Sequence, residues 1–438
     1  MSMNGQPGAA NGAEIGAEIH RLMAELFPIC RSITGDGFRE TLEILGRHIP
    51  LEIHEVPSGT RVFDWTVPKE WNIRDAFIKD RKGEKIVDFR RSNLHVVSYS
   101  LPVRAILPLA ELKMHLHTLP GQPDLVPYKT AYYSEDWGFC LSHRQFLGLE
   151  EGDYEVVIDS TLEDGSLTYG ESYLNGATED EILVSVHACH PSLANDNLSG
   201  VGLATMLARH LGSVERRFSY RFLFIPGTIG AITWLCLNEG KVGKIKAGLV
   251  VAGAGDGGDV TYQRSRRGDA EIDRAAAHVL GRAARPGRLL DFRPYGYDER
   301  QYCSPGFDLP VGRFSRTPFG EYPEYHTSGD DMAFVSAGAL ADSFRKILAI
   351  LELLEGNRTY RNVNPKGEPQ LGRRGLYAAE DEMNLATLWV LNLSDGGKSL
   401  LDIAERSALP FETVREAAQS LEKAGLLVER TGPEGVKT

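Results

Sequence analysis

Along the first 47 residues, apolar side chains recur at helical spacing, at Ile19, Leu22 and Leu26 and again at Leu42 and Leu45. The polar stretch RSITGDGF interrupts them, which predicts two helices joined by a turn over 1–50. From Leu51 the texture shortens. LEIHEV, RVFDWTV, NLHVVSYS and RAILPL are brief β-branched or aromatic runs set between Pro, Gly and charged turns. They predict a small β-rich module over 51–150, ending near WGFCLSHRQF. Beyond Tyr154 the period alternates. YEVVIDS, EILVSVH, SYRFLFIP and AGLVVAGAG read as strands, whereas VGLATMLARHLG, GAITWLCLNEG and AEIDRAAAHVLGRA read as helices. That alternation, closed by the helix ALADSFRKILAILELLEG, predicts an α/β domain over 151–360, a sheet flanked by helices.

RNVNPKGEPQLGRRG has the composition of a linker. Past it, MNLATLWVLNL, SLLDIAERSAL and PFETVREAAQSLEKAGLL predict three short helices, and VER begins a strand pair. Together they predict a winged helix-turn-helix domain over 374–438. The opening MSMNGQPGAANGAEIG has no apolar core of a signal segment and is expected to be an unstructured lead-in.

Composition narrows the class. With 42% hydrophobic and 25% charged residues the chain has material for a substantial core. A net charge of −12 argues against a broad nucleic-acid face. The five cysteines, Cys30, Cys140, Cys189, Cys236 and Cys303, are scattered and form no CxxC pair. Neither a disulfide framework nor a cysteine zinc cage is indicated. No apolar run approaches the roughly 18 residues of a membrane span, so a cytoplasmic protein with no membrane partner is expected.

In such a sheet, ligands collect beyond the carboxyl ends of the strands. There, VHACHPSLANDNLSG places His187, His190 and Asp196 close together, Asp256 follows AGLVVAGAG, and His326 lies in EYPEYHTSGDD. Imidazoles and carboxylates are the ligands of hydrolytic metal ions. Each residue also has a plain alternative. A strand-end histidine often serves as a hydrogen-bonding structural group, Asp196 suits a helix cap, and Asp256 suits a Gly-rich turn. Their shared placement at strand ends of one domain is what points to a metal.

Taken in order, VSVHAC, ANDNLSGVG, FLFIPGTIGAITWL, GAGD and EYHTSGDD resemble the co-catalytic zinc exopeptidases of the leucyl-aminopeptidase type. More narrowly, the chain resembles the aminopeptidase-like family often encoded among polysaccharide-biosynthesis genes. DWTVPKEWNIRDAFIKD, SNLHVVSYS and YYSEDWGFC resemble that family's inserted β-rich module, and a C-terminal winged helix is typical of it. The resemblance implies a zinc-exopeptidase-like mixed sheet flanked by helices. It implies that His187, Asp196, Asp256 and His326 hold one or two zinc ions, with Asp196 as the bridging carboxylate. His190, which the wider pattern lacks, would be a ligand or a supporting group.

Two departures stand out. The aspartate of the family's His-x-Asp is Cys189 here, for which a buried apolar role is expected. Exopeptidases of this type end a strand on paired glutamates, and the narrower family keeps one in Pro-Glu-Thr-Ile-Gly. This chain reads Pro226-Gly227-Thr228-Ile229-Gly230. A missing general base costs about 10²–10⁴-fold in rate, and a missing ligand weakens one of two metals. Glu321, Glu324, Asp298 and Glu299 are the acids that could substitute. Glu299 and Glu321 are the expected catalytic residues, with Asp298 and Tyr325 on the substrate side, and the Asp298–Glu299 pair or Glu321 would receive a substrate ammonium.

These features predict a zinc-dependent aminopeptidase-like hydrolase acting on a peptide or an amide-bearing small molecule. Gly227 keeps open a degenerate, non-catalytic binding protein on the same fold. The C-terminal helices keep open a DNA regulator, which their charge disfavours: Glu412, Glu416 and Glu422 outnumber Arg415 and Lys423 on the reading helix. The added domains offer surfaces for a homo-oligomer.

Overall fold

The computed structural model describes residues 9–430. Residues 1–8 of the lead-in lie outside that part, but Ala9 already begins helix α1 (Ala9–Leu26). Its apolar period is spent on the interior: Ile19, Leu22, Met23 and Leu26 are buried. Helix α2 (Asp36–Leu45) buries Phe38, Leu42 and Leu45 in the same way. The chain then runs through β1 (Glu52–Pro57), a hairpin of β2 (Arg61–Val62) and β3 (Trp65–Thr66), β4 (Glu70–Lys79), β5 (Lys85–Asp88) and β6 (Val103–Pro108). Helix α3 (Leu109–Leu112), β7 (Leu116–His117), β8 (Phe139–Cys140), α4 (His143–Leu147) and β9 (Asp153–Glu163) follow.

Four of these strands form an antiparallel sheet in the order β5-β4-β9-β6. Alternate residues on β4 and β9, Ala76, Ile78, Val156 and Ile158, close a small core with Leu109, Leu112, Phe139 and Leu141. Two strands differ from the sequence expectation. LEIHEV, expected in the small module, is β1 and pairs with the large sheet. YEVVIDS, expected in the large sheet, is the body of β9 and pairs with β4 and β6. Periodicity identifies a strand but not its partner; register does, with Ala76 opposite Ile158 and Phe77 opposite Val157. NLHVVSYS is a 3₁₀ turn at Asn93–His95 followed by isolated bridges at Val96 and Ser98.

The larger part of this unit comprises β10 (Ser166–Leu174), β11 (Glu181–His187), α5 (Gly200–Gly212), β12 (Ser219–Ile225), α6 (Ile229–Asn238), β13 (Ile245–Val251) and β14 (Thr261–Gln263). It continues with α7 (Glu271–Arg282), β15 (Arg288–Leu290), α8 (Glu299–Tyr302), β16 (Val311–Ser315) and α9 (Ala337–Gly356). Eight strands run β1-β10-β12-β11-β13-β16-β14-β15. The centre, β12-β11-β13-β16, is parallel, and β1, β10 and β14 add antiparallel pairs, so the sheet is mixed as expected. β11 and β12 are buried at every residue, the signature of strands covered on both faces. Helix α1 crosses α5 at Gly202, where an added Cβ would come within 2.9 Å of Ile19 Cγ2. His187 lies in register with Ile225, so the ends of β11 and β12 open on the same edge.

The chain divides into two units after Leu348. The second contains β17 (Thr359–Asn362), α10 (Asp381–Leu393), β18 (Asp395–Ser399), α11 (Leu400–Ser407), α12 (Phe411–Lys423) and β19 (Leu427–Glu429). The three helices are those expected. β17 is the middle strand of the order β18-β17-β19, so the stretch read as the start of a linker is strand instead. VER falls at β19, which pairs with β17; residues 431–438 lie outside the described part. Among the described residues no helix is long and apolar enough to cross a membrane.

Candidate active site

β11 ends on His187, and the loop that returns to α5 carries His190 and Asp196. His187 Nε2 lies 3.0 Å from Asp196 Oδ1, and His326 Nε2 lies 3.0 Å from Asp196 Oδ2. His190 Nδ1 stands 3.6 Å from the same Oδ2. One ligand atom each from His187, His190 and Asp196 fall within 4.8 Å of one another. The imidazoles meet at steep angles, with centroids 4.9 Å apart for His187 and His190 and 5.1 Å for His190 and His326. One carboxylate, 0% exposed, is thus ringed by three imidazoles.

The charges explain its state. Burial alone would raise the Asp196 carboxyl, but the surrounding imidazoles, with the hydrogen bonds of His187 and His326, hold it well below the usual carboxylate range. Burial pushes His190 down to about 3 against the pull of Asp196, which keeps it in the neutral form that a metal takes. His187 moves the other way: burial opposes its charge, yet the hydrogen bond and charge of Asp196 prevail. His190 Nδ1 is buried and has no hydrogen-bond partner.

The surrounding shell holds the cluster rigid. Asp330 accepts the main-chain N–H groups of Asn195 and Asp196 at 2.6 and 2.9 Å, and burial pushes its carboxyl up to about 7. Asn197 Nδ2 donates to His187 O at 3.2 Å and Val251 O at 3.0 Å, stitching the ends of β11 and β13. The buried Arg31 donates Nε–H to His190 O at 3.0 Å. Tyr128, from the segment between β7 and β8, lays its ring edge-on to His190 and His326 at 5.2 and 5.1 Å. Its N–H donates to His326 O at 2.8 Å.

Of the residues expected at a metal, His187, His190, Asp196 and His326 come together, and Asp256 does not. Its carboxylate accepts from Thr317 Oγ1 at 2.6 Å, Gly258 N at 2.7 Å, Asn195 Nδ2 at 3.1 Å and Thr317 N at 3.2 Å. Turned to these donors, Asp256 steadies Asn195 beside Asp196. The two acids expected to be catalytic are also placed elsewhere. Glu321, 46% exposed, pairs with Arg288 at 2.7 Å on the surface. Glu299 is fully buried, pairs with Arg313 at 3.1 Å and accepts Tyr297 N–H at 3.3 Å, so it holds a loop. Arg288 takes up the Glu321 charge, and Arg313 takes Glu299 Oε1, leaving Oε2 buried without a hydrogen-bond partner.

Of the pair expected on the substrate side, Tyr325 stacks on His326 at 4.0 Å. The charge of Asp298 bears on His187, and its Oδ1 accepts Thr228 N–H at 2.6 Å. Sequence reasoning missed Tyr297, which stacks on His187 at 5.0 Å and 17°; its place beside Asp298 in GYDER was the one available signal. It also passed over Arg31, Tyr128 and Asp330, whose roles arise from backbone contacts that no motif spells. Cys189 is buried, accepts Gly227 N–H at 3.2 Å, and burial pushes its thiol up to about 12, in keeping with the buried apolar role expected of it.

Gly227 itself faces the cluster. A Cβ there would lie 3.5 Å from His187 Cβ and 3.6 Å from Cys189 Sγ, ordinary contact distances. Thr228 follows at φ 63° and ψ −68°, and Ile229 N–H closes onto Gly227 O at 2.9 Å. That is a strained three-residue turn of the kind found at functional sites.

A mixed α/β sheet with a histidine-ringed aspartate at its strand ends, followed by a winged helix, defines an aminopeptidase-like protein. Residues 20–357 match the family model described as a domain of unknown function, DUF4910, and the chain belongs to that family. Residues 358–429 match a winged helix-turn-helix model, which takes in β17 as well as the helices. The chain is 53% identical over 425 residues to a Clostridium acetobutylicum protein named for polysaccharide biosynthesis and an aminopeptidase-like domain, covering 95% of this chain and 97% of that protein. It is similar to a crystal structure described as a peptidase from the same organism, with 52% identity, a TM-score of 0.93 and coverage of 96% and 98%. It shares its fold with a zinc aminopeptidase from Bacillus subtilis at 13% identity, TM-score 0.57, over 77% of this chain and 94% of that one.

Proposed function

We propose that this protein is a zinc-dependent, aminopeptidase-like hydrolase that cleaves an amide bond in a peptide or an amide-bearing small molecule. The observation that carries this reading is the Asp196 carboxylate set among His187, His190 and His326. The donor set fits zinc, three imidazoles and one carboxylate, and the unpartnered, buried Nδ1 of His190 is an open ligand position. One ion fits better than two, because Asp256 is engaged by Thr317 and Gly258 and position 227 carries no acid. Zinc, when bound, supplies a water of lowered pKa and polarises a carbonyl.

The chain's own residues do the positioning. Asp330 and Asn197 keep the Asp196 loop and the β11 end in place. Tyr297 and Tyr325 lie flat on His187 and His326 and cover those rings with apolar surface. The similar Clostridium acetobutylicum protein, named for an aminopeptidase-like domain, and the Bacillus subtilis zinc aminopeptidase of the same fold support the same reaction class. The unpaired cysteines support a reducing, cytoplasmic setting.

Elemental analysis of the purified and zinc-reconstituted protein, beside hydrolysis of aminoacyl-p-nitroanilides, tests the proposal. Zinc near one equivalent with turnover is expected; a protein that takes up no zinc and hydrolyses none of the set defeats it. Gly227 motivates a second reading, a non-catalytic binding protein, which would show as activity only in Gly227→Glu.

A further inference from the structure

Asp298 is 2% exposed, and its carboxylate is half satisfied. Oδ1 accepts Thr228 N–H at 2.6 Å, while Oδ2 is buried without a partner. Such an orphaned oxygen is costly to bury and calls for an explanation. Its location supplies one. The amide that holds Oδ1 follows Gly227 directly, and a Cβ at Gly227 would stand 3.5 Å from His187 Cβ and 3.9 Å from Cγ. The neighbouring Tyr297 lies flat on the His187 ring, so the loop is laid over the cluster. Glu299, paired with Arg313, locks that loop by accepting Tyr297 N–H.

We propose that Asp298 is the proton acceptor of this site, standing in for the acid that position 227 lacks. The proposal rests on the hydrolase reading above. In the step it serves, the water oxygen bonds to the acyl carbon and a water proton moves to Asp298 Oδ2. The C–N bond then breaks and that proton passes to the leaving nitrogen, giving a carboxylic acid and an amine with no other reactant. Burial, against the charge of His187 and the Thr228 N–H, holds Asp298 above the usual carboxylate range, which suits a group that takes and returns a proton.

The test uses the zinc-reconstituted full chain and aminoacyl-p-nitroanilides, with Asp298→Asn, Gly227→Glu and the double variant. Zinc affinity by chelator competition and thermal melts are read alongside. Asp298→Asn keeps an oxygen for Thr228 N–H, so melting temperature and zinc affinity should hold while kcat falls by about 10²–10⁴-fold and KM stays nearly constant. The double variant should regain at least about tenfold of that loss if the introduced glutamate takes the proton instead. Gly227→Glu alone is read for turnover beside the natural chain, a measure independent of whether Asp298→Asn folds.

Unchanged kcat in a folded Asp298→Asn overturns the proposal. So does a loss confined to KM and to binding of a free-amine inhibitor, which would make Asp298 an ammonium receptor. A natural chain that holds zinc but turns over only as Gly227→Glu also overturns it, while leaving the metal site standing. A chain that takes up no zinc and shows no turnover in any of these forms overturns the hydrolase reading beneath it.

Discussion

Asp330 grips Asp196 by its backbone: Oδ2 accepts the Asp196 N–H at 2.9 Å while Oδ1 takes that of Asn195 at 2.6 Å. The carboxylate at the centre of the imidazole ring is therefore held by a second carboxylate distant in sequence. Removing that hold lets the loop relax. Asp330→Ala should weaken zinc binding about 10–100-fold, the usual effect of losing a group that orients a ligand. Chelator competition measures it.

His190 and Asp256 separate the two versions of the metal site. His190→Ala removes a ligand atom with no other partner and should drop zinc stoichiometry well below that of the natural chain. Asp256→Asn should keep zinc near its natural level and instead lower stability by about 1–3 kcal/mol, since one amide group cannot accept all four donors. Elemental analysis and thermal melts read both. The natural chain should itself lose stability on chelation, by about 4 kcal/mol relative to zinc at a thousandfold over its dissociation constant.

Arg221 stands in the middle of β12, paired with Glu181 at 2.8 Å and with Glu171. All three are shielded from water, and neutralising Glu181 leaves Arg221 with Glu171 as its one remaining carboxylate. Glu181→Gln should destabilise the first unit by about 1–3 kcal/mol, read from urea unfolding, with little change in zinc content.

Asp342 on α9 accepts Arg316 Nη1 at 2.9 Å and Lys346 Nζ at 2.8 Å. Burial would raise its carboxyl, but these hydrogen bonds and charges hold it below the ordinary 3.8. A folded value below the unfolded one adds stability that is full above 3.8 and is lost as pH falls through the folded value. Asp342→Asn should be about 1 kcal/mol less stable at pH 7, and the gap should close in acid. Melts as a function of pH check it.

The strand ends were legible because the residues carrying them are local. EILVSVH shows its burial in an unbroken apolar run, so His187 at its end was placed from sequence, and His190 and Asp196 shared its loop. The C-terminal helices were legible for the same reason, whereas β17 hid in a polar stretch whose strand character depends on β18 and β19. Asp256, Glu299 and Glu321 sat near the right positions and were read as available acids. Their availability depended on Thr317, Arg313 and Arg288, which no local pattern reveals.

Sequence alone determined the α/β class, the edge of the sheet where the site lies, the departure at Gly227 and the winged helix, because apolar period and motif order are properties of short stretches. Tertiary structure decided which sheet takes β1 and β9, that His190 joins the cluster while Asp256 turns to other donors, and that Asp298 keeps an oxygen without a hydrogen-bond partner. The physical reason is the same in each case. A strand's partner and a carboxylate's free lone pair are both settled by groups far along the chain, and only folding brings those groups within hydrogen-bonding distance.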